Sequence, residues 1–251
     1  MIFNSNVNIK NSPIKPGHER ALEWFSSNSF EEIKNNYARV FGENRVYFRV
    51  TEKGVTVVSL DHDVPCFIGV RPAHKNAACY ISTGESVKSL EYYADLKRSF
   101  EDFKRSVKRK SSEECAVVNV IQSALDNGLL IPEMNSYFLN NEWRFLDSTG
   151  KGKKTDLLAV NIQTRSLVII EFKGNKGKLN QAKTQVREYA DHYLRHQKEY
   201  DVFFEEQFRA TYRLYGCSEL PPQRILCGNP PDLYVAYPTS MERVVCFEGV
   251  D

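Results

Sequence analysis

Residues 155–189 read TDLLAVNIQTRSLVIIEFKGNKGKLNQAKTQVREY, and this stretch decides the fold class. Residues 167–172 form a nearly continuous apolar run of strand length, ended by Lys173-Gly174. Such a run suits a strand buried on both faces. Side chains alternate along a strand, so Glu171 and Lys173 share one side and Phe172 takes the other. Asp156 to Ile162 reads as a second strand that opens on a carboxylate. The polar segment from Asn161 to Ser166 turns the chain between them, giving a hairpin. Asp156 and Glu171 then meet at one end of the sheet. Two close carboxylates repel, and a divalent cation relieves the repulsion. An acid and a base at the tip of a buried strand are costly unless paired or used.

A helix is expected on each side of this hairpin. Downstream, Gln185 and Tyr189 lie one helical turn apart in a polar helix. Upstream, Ser112 to Leu125 reads as a helix with two acids near its start, Glu113 and Glu114. Glu114 is favoured, because Val117, Val118, Ile121 and Leu125 follow it at helical spacing on one face. A helix acid, a strand acid, a Glu-x-Lys strand end and a Gln-x-x-x-Tyr helix, in that order, resemble the PD-(D/E)xK nuclease superfamily. A lone Glu-x-Lys is commonplace; the ordered conjunction is what is specific. The resemblance covers residues 110–195 approximately and is nearest to archaeal DNA-repair-type nucleases with a separate N-terminal domain. It departs from the signature at Thr155, which stands where the family's often absent proline would be.

The resemblance implies an α/β, restriction-endonuclease-like core, a central mixed sheet flanked by helices, over residues 106–251. A small α+β accessory domain with a long connecting helix would precede it, over residues 1–105. Asp156, Glu171 and Glu114, with the Phe172 carbonyl, would hold Mg²⁺ or Mn²⁺. Lys173 would orient the attacking water or steady charge on the phosphate. Gln185 and Tyr189 would position the substrate backbone. The implied substrate is nucleic acid, with DNA and endonucleolytic cutting expected by family habit, and homodimers are common in the superfamily. Fold does not dictate activity. A silent nucleic-acid-binding or assembly protein on the same fold is the alternative. A third reading makes Asp156, Glu171 and Lys173 a structural ion pair.

Bulk properties are permissive. A chain of 251 residues with 41% hydrophobic and 26% charged residues suits one large or two small globular domains. The net charge of +2 does not itself announce a nucleic-acid binder. Its basic residues are unevenly placed, however. Lys151, Lys153 and Lys154 precede Asp156; Lys176, Lys178, Lys183 and Arg187 follow Lys173; and Lys104 to Lys110 precede the helix of Glu114. These groups flank the candidate site, where phosphate contacts would be useful. The six cysteines show no C-x-x-C spacing, which argues against a zinc knuckle. Cys115 and Cys246 fall in helix and strand patterns and read as reduced, buried thiols. No apolar run is long enough to span a membrane, and the N-terminus lacks a signal-peptide core, so a cytoplasmic protein is the default expectation.

The remainder reads more weakly. Ser29 to Glu32 is a capping box opening a helix that ends near Gly42. Arg45 to Thr51 and Val55 to Leu60 are strand-like and joined by a hairpin signal, with Cys66 to Val70 and Ala77 to Ser82 extending the sheet. A long helix is expected from Ser86 to about Lys108, and helical pattern continues from Tyr193 to about Tyr215. Leu233 to Tyr237 and Arg243 to Phe247 read as late strands. Gly150 to Lys154 fails as a phosphate loop, because Asp147 and Lys154 occupy positions that need Gly and Ser or Thr. Asp61-His62-Asp63 is read as a polar turn and His192 with His196 as a solvated helix face.

Overall fold

The first helix, α1 (Pro16–Phe25), starts on Pro16, whose fixed φ and missing N–H are harmless there. Burial holds the His18 imidazole below its ordinary pKa, and as a neutral ring its Nδ1 accepts the Lys15 N–H at 3.2 Å. The computed structural model describes residues 12–60, 68–69, 80–106, 112–146, 152–217, 220, 222–239 and 244–251. Helix α2 (Asn28–Phe41) ends at Gly42 with φ +101°, a left-handed conformation that suits glycine. Its N-cap is Ser27, two residues before the expected box, because the Ser27 carbonyl already accepts the Phe30 and Glu31 amides.

Strands β1 (Val46–Thr51) and β2 (Gly54–Ser59) pair antiparallel, with Val46 opposite Ser59 and Thr51 opposite Gly54. The short strands β3 (Ile68–Gly69) and β4 (Tyr80–Ser82) both pair with β2, at successive registers. Gly17 of α1 lies against the β1–β2 turn: a Cβ there would stand 2.0 Å from the Glu52 carbonyl oxygen. Helix α3 (Leu90–Ser106) packs on α2, where Tyr93 meets Tyr37 edge-on. The Asp61-His62-Asp63 turn, Cys66, Cys79 and Lys108 to Lys110 lie outside the described residues.

Helix α4 (Ser112–Asp126) leads into β5 (Leu130–Ile131), β6 (Ser136–Asn141), β7 (Arg144–Leu146) and β8 (Gly152–Lys154). The hairpin of β9 (Leu157–Asn161) and β10 (Ser166–Phe172) follows, with Asn161 opposite Ser166 and Leu157 opposite Ile170. Its turn is an Asx turn: Asn161 Oδ1 accepts the Gln163 and Thr164 amides at 2.9 and 3.1 Å. The expected continuous helical stretch is two helices, α5 (Leu179–Arg195) and α6 (Gln197–Leu214), broken at His196. His192 and His196 therefore do not share one uninterrupted helix face. The chain closes with β11 (Asp232–Pro238) and β12 (Val245–Gly249).

The larger sheet is mixed, six-stranded and curled, in the order β12-β11-β10-β9-β6-β5. Only β10 and β11 run parallel; the other pairs are antiparallel. Alternation on β11 sorts the faces. Val235 packs with Leu179, Ala182 and Val186 of α5, while Ala236 belongs to the main core. Glu171 is registered with Val235 and Phe172 with Ala236, so Glu171 belongs to the face that α5 covers. The main core runs without a break from Phe25, Phe30 and Tyr47 to Phe138, Ile170 and Phe208. Tyr47 packs edge-on to Phe138 and donates to Asn141 Oδ1, which ties the two sheets together. No described helix is long and apolar enough to cross a membrane.

Candidate active site

The hairpin register sets the site. Leu157 pairs with Ile170, so the next residue outward on each strand is an acid, Asp156 on one and Glu171 on the other. Asp156 Oδ2 accepts the Phe172 N–H at 2.7 Å. Lys173 lies two residues beyond Glu171 on the same side, and its Nζ donates to Glu171 Oε1 at 2.6 Å. Both members of that pair are buried, Glu171 at 3% and Lys173 at 7% exposure. Thr155, in the proline position of the signature, has two uses. Its N–H donates to the Trp143 carbonyl at 2.9 Å, a bond proline would forfeit. Its hydroxyl reaches the Leu157 and Ile170 carbonyls, clasping the two strand ends.

The charges balance only with a proton. Burial first, and then the Glu171 charge, push the Asp156 carboxyl up to about 8, against the pull of the Phe172 N–H and Lys173. Burial also raises Glu171; Lys173 opposes that rise and Glu113 adds to it. A protonated Asp156 lies within hydrogen-bonding reach of Glu171. One ammonium serves two buried carboxyl groups, the proton kept by Asp156 makes up the balance, and Glu171 Oε2 accepts no hydrogen bond from the described residues in the geometry present. The Gln185 Oε1 acceptor is likewise buried and unpartnered. Two buried acceptor oxygens without donors, and a carboxyl that stays protonated for want of a cation, are what a bound cation would relieve. A hard cation such as Mg²⁺ or Mn²⁺ fits that donor set. Among the described residues no three His, Cys, Asp or Glu side chains converge on one point, so the fit rests on the Asp156–Glu171 pair. Mg²⁺ commonly takes one or two carboxylates and keeps its waters.

The other expected residues divide. Glu113, the neighbour of the favoured Glu114, reaches the site: its Oε2 accepts the Gly174 N–H at 3.2 Å and its charge acts on Asp156 and Glu171. The Glu114 side chain lies outside the described residues. Helical spacing could not separate the two acids, because the buried face of α4 is broad. Ala116, Val117 and Val120 follow Glu113 at helical spacing as well as Val117, Val118 and Ile121 follow Glu114. Tyr189 is 1% exposed, and its hydroxyl donates to the Lys154 carbonyl at 2.9 Å. It braces the end of β8 against the site. Burial and the two carboxylates raise its pKa beyond the ordinary phenol range.

The basic residues are mostly committed to protein partners. Lys153 pairs with Glu188 and Lys154 with Glu142. Arg187 donates to the Asp251 carbonyl, and Lys183 pairs with Glu248. Lys176 and Lys178 stand exposed on the 3-10 turn that leads from Lys173 into α5. Lys151 lies outside the described residues. Cys115 and Cys246 are half-buried thiols rather than core residues. Sequence reasoning passed over Glu142 and Arg49, which meet beside this site. Arg49 is a charge within the apolar strand β1, whereas Glu142 stands among Asn140, Asn141 and Arg144 with no signal of its own. No protein-family model matches the chain, and comparison with curated proteins and with solved structures returns no match.

Proposed function

We propose that this protein is a Mg²⁺- or Mn²⁺-dependent nuclease that hydrolyses phosphodiester bonds of nucleic acid, with DNA as the expected substrate. The core would be of the PD-(D/E)xK, restriction-endonuclease-like type. The observation that carries the reading is the buried cluster: Asp156 and Glu171 share one lysine, and Glu171 Oε2 is left unpartnered. A structural ion pair would need no proton; this cluster balances its charge only by keeping a proton on Asp156, which a bound cation could replace. Asp156 and Glu171 would hold the cation, which when bound supplies Lewis acidity at the scissile phosphate and a more acidic water. Lys173 donates one N–H to Glu171 and keeps further donors for the oxygens of the phosphate or of the attacking water. Glu113 fixes the Gly174 amide and so the turn that carries Lys173. Gln185 offers its free carbonyl oxygen to a water or hydrated ion beside Glu171. Lys176 and Lys178, exposed on the adjoining turn, are placed for backbone phosphates.

The test is cleavage of plasmid, linear and single-stranded DNA in Mg²⁺, Mn²⁺ or EDTA by the wild type, Lys173→Ala and Asp156→Asn. Cutting that needs metal and is lost in both variants, with the folded far-UV signal kept, supports the reading. Folded wild-type protein that cuts no DNA or RNA with any metal refutes it. Salt-dependent binding without cutting would then point to the silent nucleic-acid-binding alternative.

A further inference from the structure

The N-terminal sheet reaches the candidate site through one carboxylate. Glu142 follows β6 directly, just past a register shift between Phe138 and Asn140 that is a β-bulge. Bulges re-aim the side chains after them. Glu142 Oε2 accepts from Arg49 Nη1 of β1 and from Lys154 Nζ of β8, each at 2.9 Å. Burial would raise the Glu142 carboxyl, but those two cations hold it below its ordinary value. The backbone on both sides of this carboxylate is tied to the segment that delivers Asp156. The Glu142 N–H donates to the Asp156 carbonyl at 3.4 Å, and the Trp143 carbonyl accepts the Thr155 N–H. The Lys154 carbonyl in turn accepts the Tyr189 hydroxyl, whose ring packs against Phe145.

Two features set Glu142 apart from an ordinary surface partner. Its φ is +50°, the left-handed region that a non-glycine residue adopts at a cost unless its surroundings hold it there. The Arg49 side chain is only 15% exposed and also reaches Asn141 Oδ1 at 3.3 Å. The contact is thus a partly buried bridge between two sheets, unlike the solvated pairs that contribute little.

We propose that Arg49 is a positioning residue for the Asp156–Glu171–Lys173 site. The N-terminal sheet sets the path of residues 152–157 by holding Glu142, and with it Lys154 and Asp156. The catalytic consequence rests on the nuclease reading; the positioning itself does not. A displacement of about 1 Å at reacting groups lowers rate constants by orders of magnitude, while leaving substrate binding largely intact.

The experiment compares wild type with Arg49→Met, which keeps the stem and removes the charge, Arg49→Lys, which restores a cation, and Tyr47→Phe. The last loses a hydroxyl from the same inter-sheet contact without touching Glu142. Amide hydrogen exchange of residues 152–157, read by mass spectrometry, is expected to accelerate roughly tenfold in Arg49→Met. It should return toward wild type in Arg49→Lys and stay unchanged in Tyr47→Phe. In metal-dependent DNA cleavage, kcat should fall about tenfold in Arg49→Met with KM within about twofold. Wild-type exchange at 152–157 in Arg49→Met overturns the proposal. So does equal loosening in Tyr47→Phe, or loosened exchange with unchanged kcat. If the wild type cuts nothing while Arg49→Met alone loosens residues 152–157, the nuclease reading falls and the positioning stands.

Discussion

Asp156→Asn should stabilise the metal-free protein and, on the proposed nuclease reading, abolish cleavage. The wild-type carboxyl is pushed from 3.8 up to about 8 by burial and by Glu171. A group whose folded pKa is raised gives its full stability below its unfolded pKa and loses it as pH climbs through the folded one. Folded wild type must keep a proton on this pair that the unfolded chain releases near pH 4. A rise of about four units sets a ceiling of roughly 5 kcal/mol, at ~1.4 kcal/mol per unit. An effective interior dielectric nearer 20 than 4 brings the expected loss to about 2–3 kcal/mol by pH 8. Asparagine is neutral at every pH, and its Oδ1 can still accept the Phe172 N–H. Its neighbour Glu171 also loses a repelling charge. Urea unfolding in EDTA at pH 4.5, 6.5 and 8 would measure the difference. The two proteins should be close at the lowest pH, with the variant ahead by about 2–3 kcal/mol at the highest, or about 5–10 °C in Tm. A variant less stable than wild type at pH 8, or a gap that ignores pH, would sink the argument. Asp156 would then be a structural partner rather than a strained functional group.

Three further outcomes are expected. If the pair holds the cation, Mn²⁺ should raise the wild-type Tm more at pH 8 than at pH 6, since the cation would displace the proton held by Asp156; equal shifts at both pH values would count against the pair as its ligands. Gly17→Ala should lower stability by about 2–3 kcal/mol, since the new Cβ would meet the Glu52 carbonyl at 2.0 Å; a Tm within about 2 °C of wild type would contradict that close approach. Glu205→Gln should cost about 1–3 kcal/mol. That carboxylate is buried, takes the Ile225 and Leu226 amides at 2.9 and 2.8 Å and holds Arg209. Faster exchange confined to residues 222–228 would show the loss directly, and unchanged exchange would argue against it.

The site-bearing hairpin was legible because its signals are local. A run of apolar residues, a stop at Lys173-Gly174 and a polar turn fix register within sixteen residues, and register alone brings Asp156 to Glu171. The late strands and α2 to α4 were legible for the same reason. Other parts were not. Pro16 to Phe25 holds a helix whose start is marked only by a proline. Strand β6 escaped notice because Asn140 and Asn141 are buried at its end. Such residues ordinarily signal a turn, and here Tyr47 and Arg49 satisfy Asn141 from another sheet. The part played by Glu113 was hidden for a related reason. The helix face is wide enough to admit either acid, and the contact that brings Glu113 to the site is to Gly174, sixty-one residues away. The basic clusters were visible as charges, but the partners Glu188 and Glu248 come from distant parts of the chain, and Glu142 meets Lys154 only because β7 and β8 pair.

The Asx turn at Asn161 lies at the far end of the hairpin from the carboxylates. Five residues of β9 separate them, roughly 16 Å of extended chain. That turn nevertheless acts as the ruler for the site. Adding one residue to it would slide β10 by one step and exchange the sides of Glu171 and Phe172. Ile170 would then occupy the place of the carboxylate and Phe172 that of Lys173, and the acid would turn into the opposite core. Variation in this loop is therefore tolerable in composition but not in odd changes of length, although the loop lies a strand's length from the carboxyl pair.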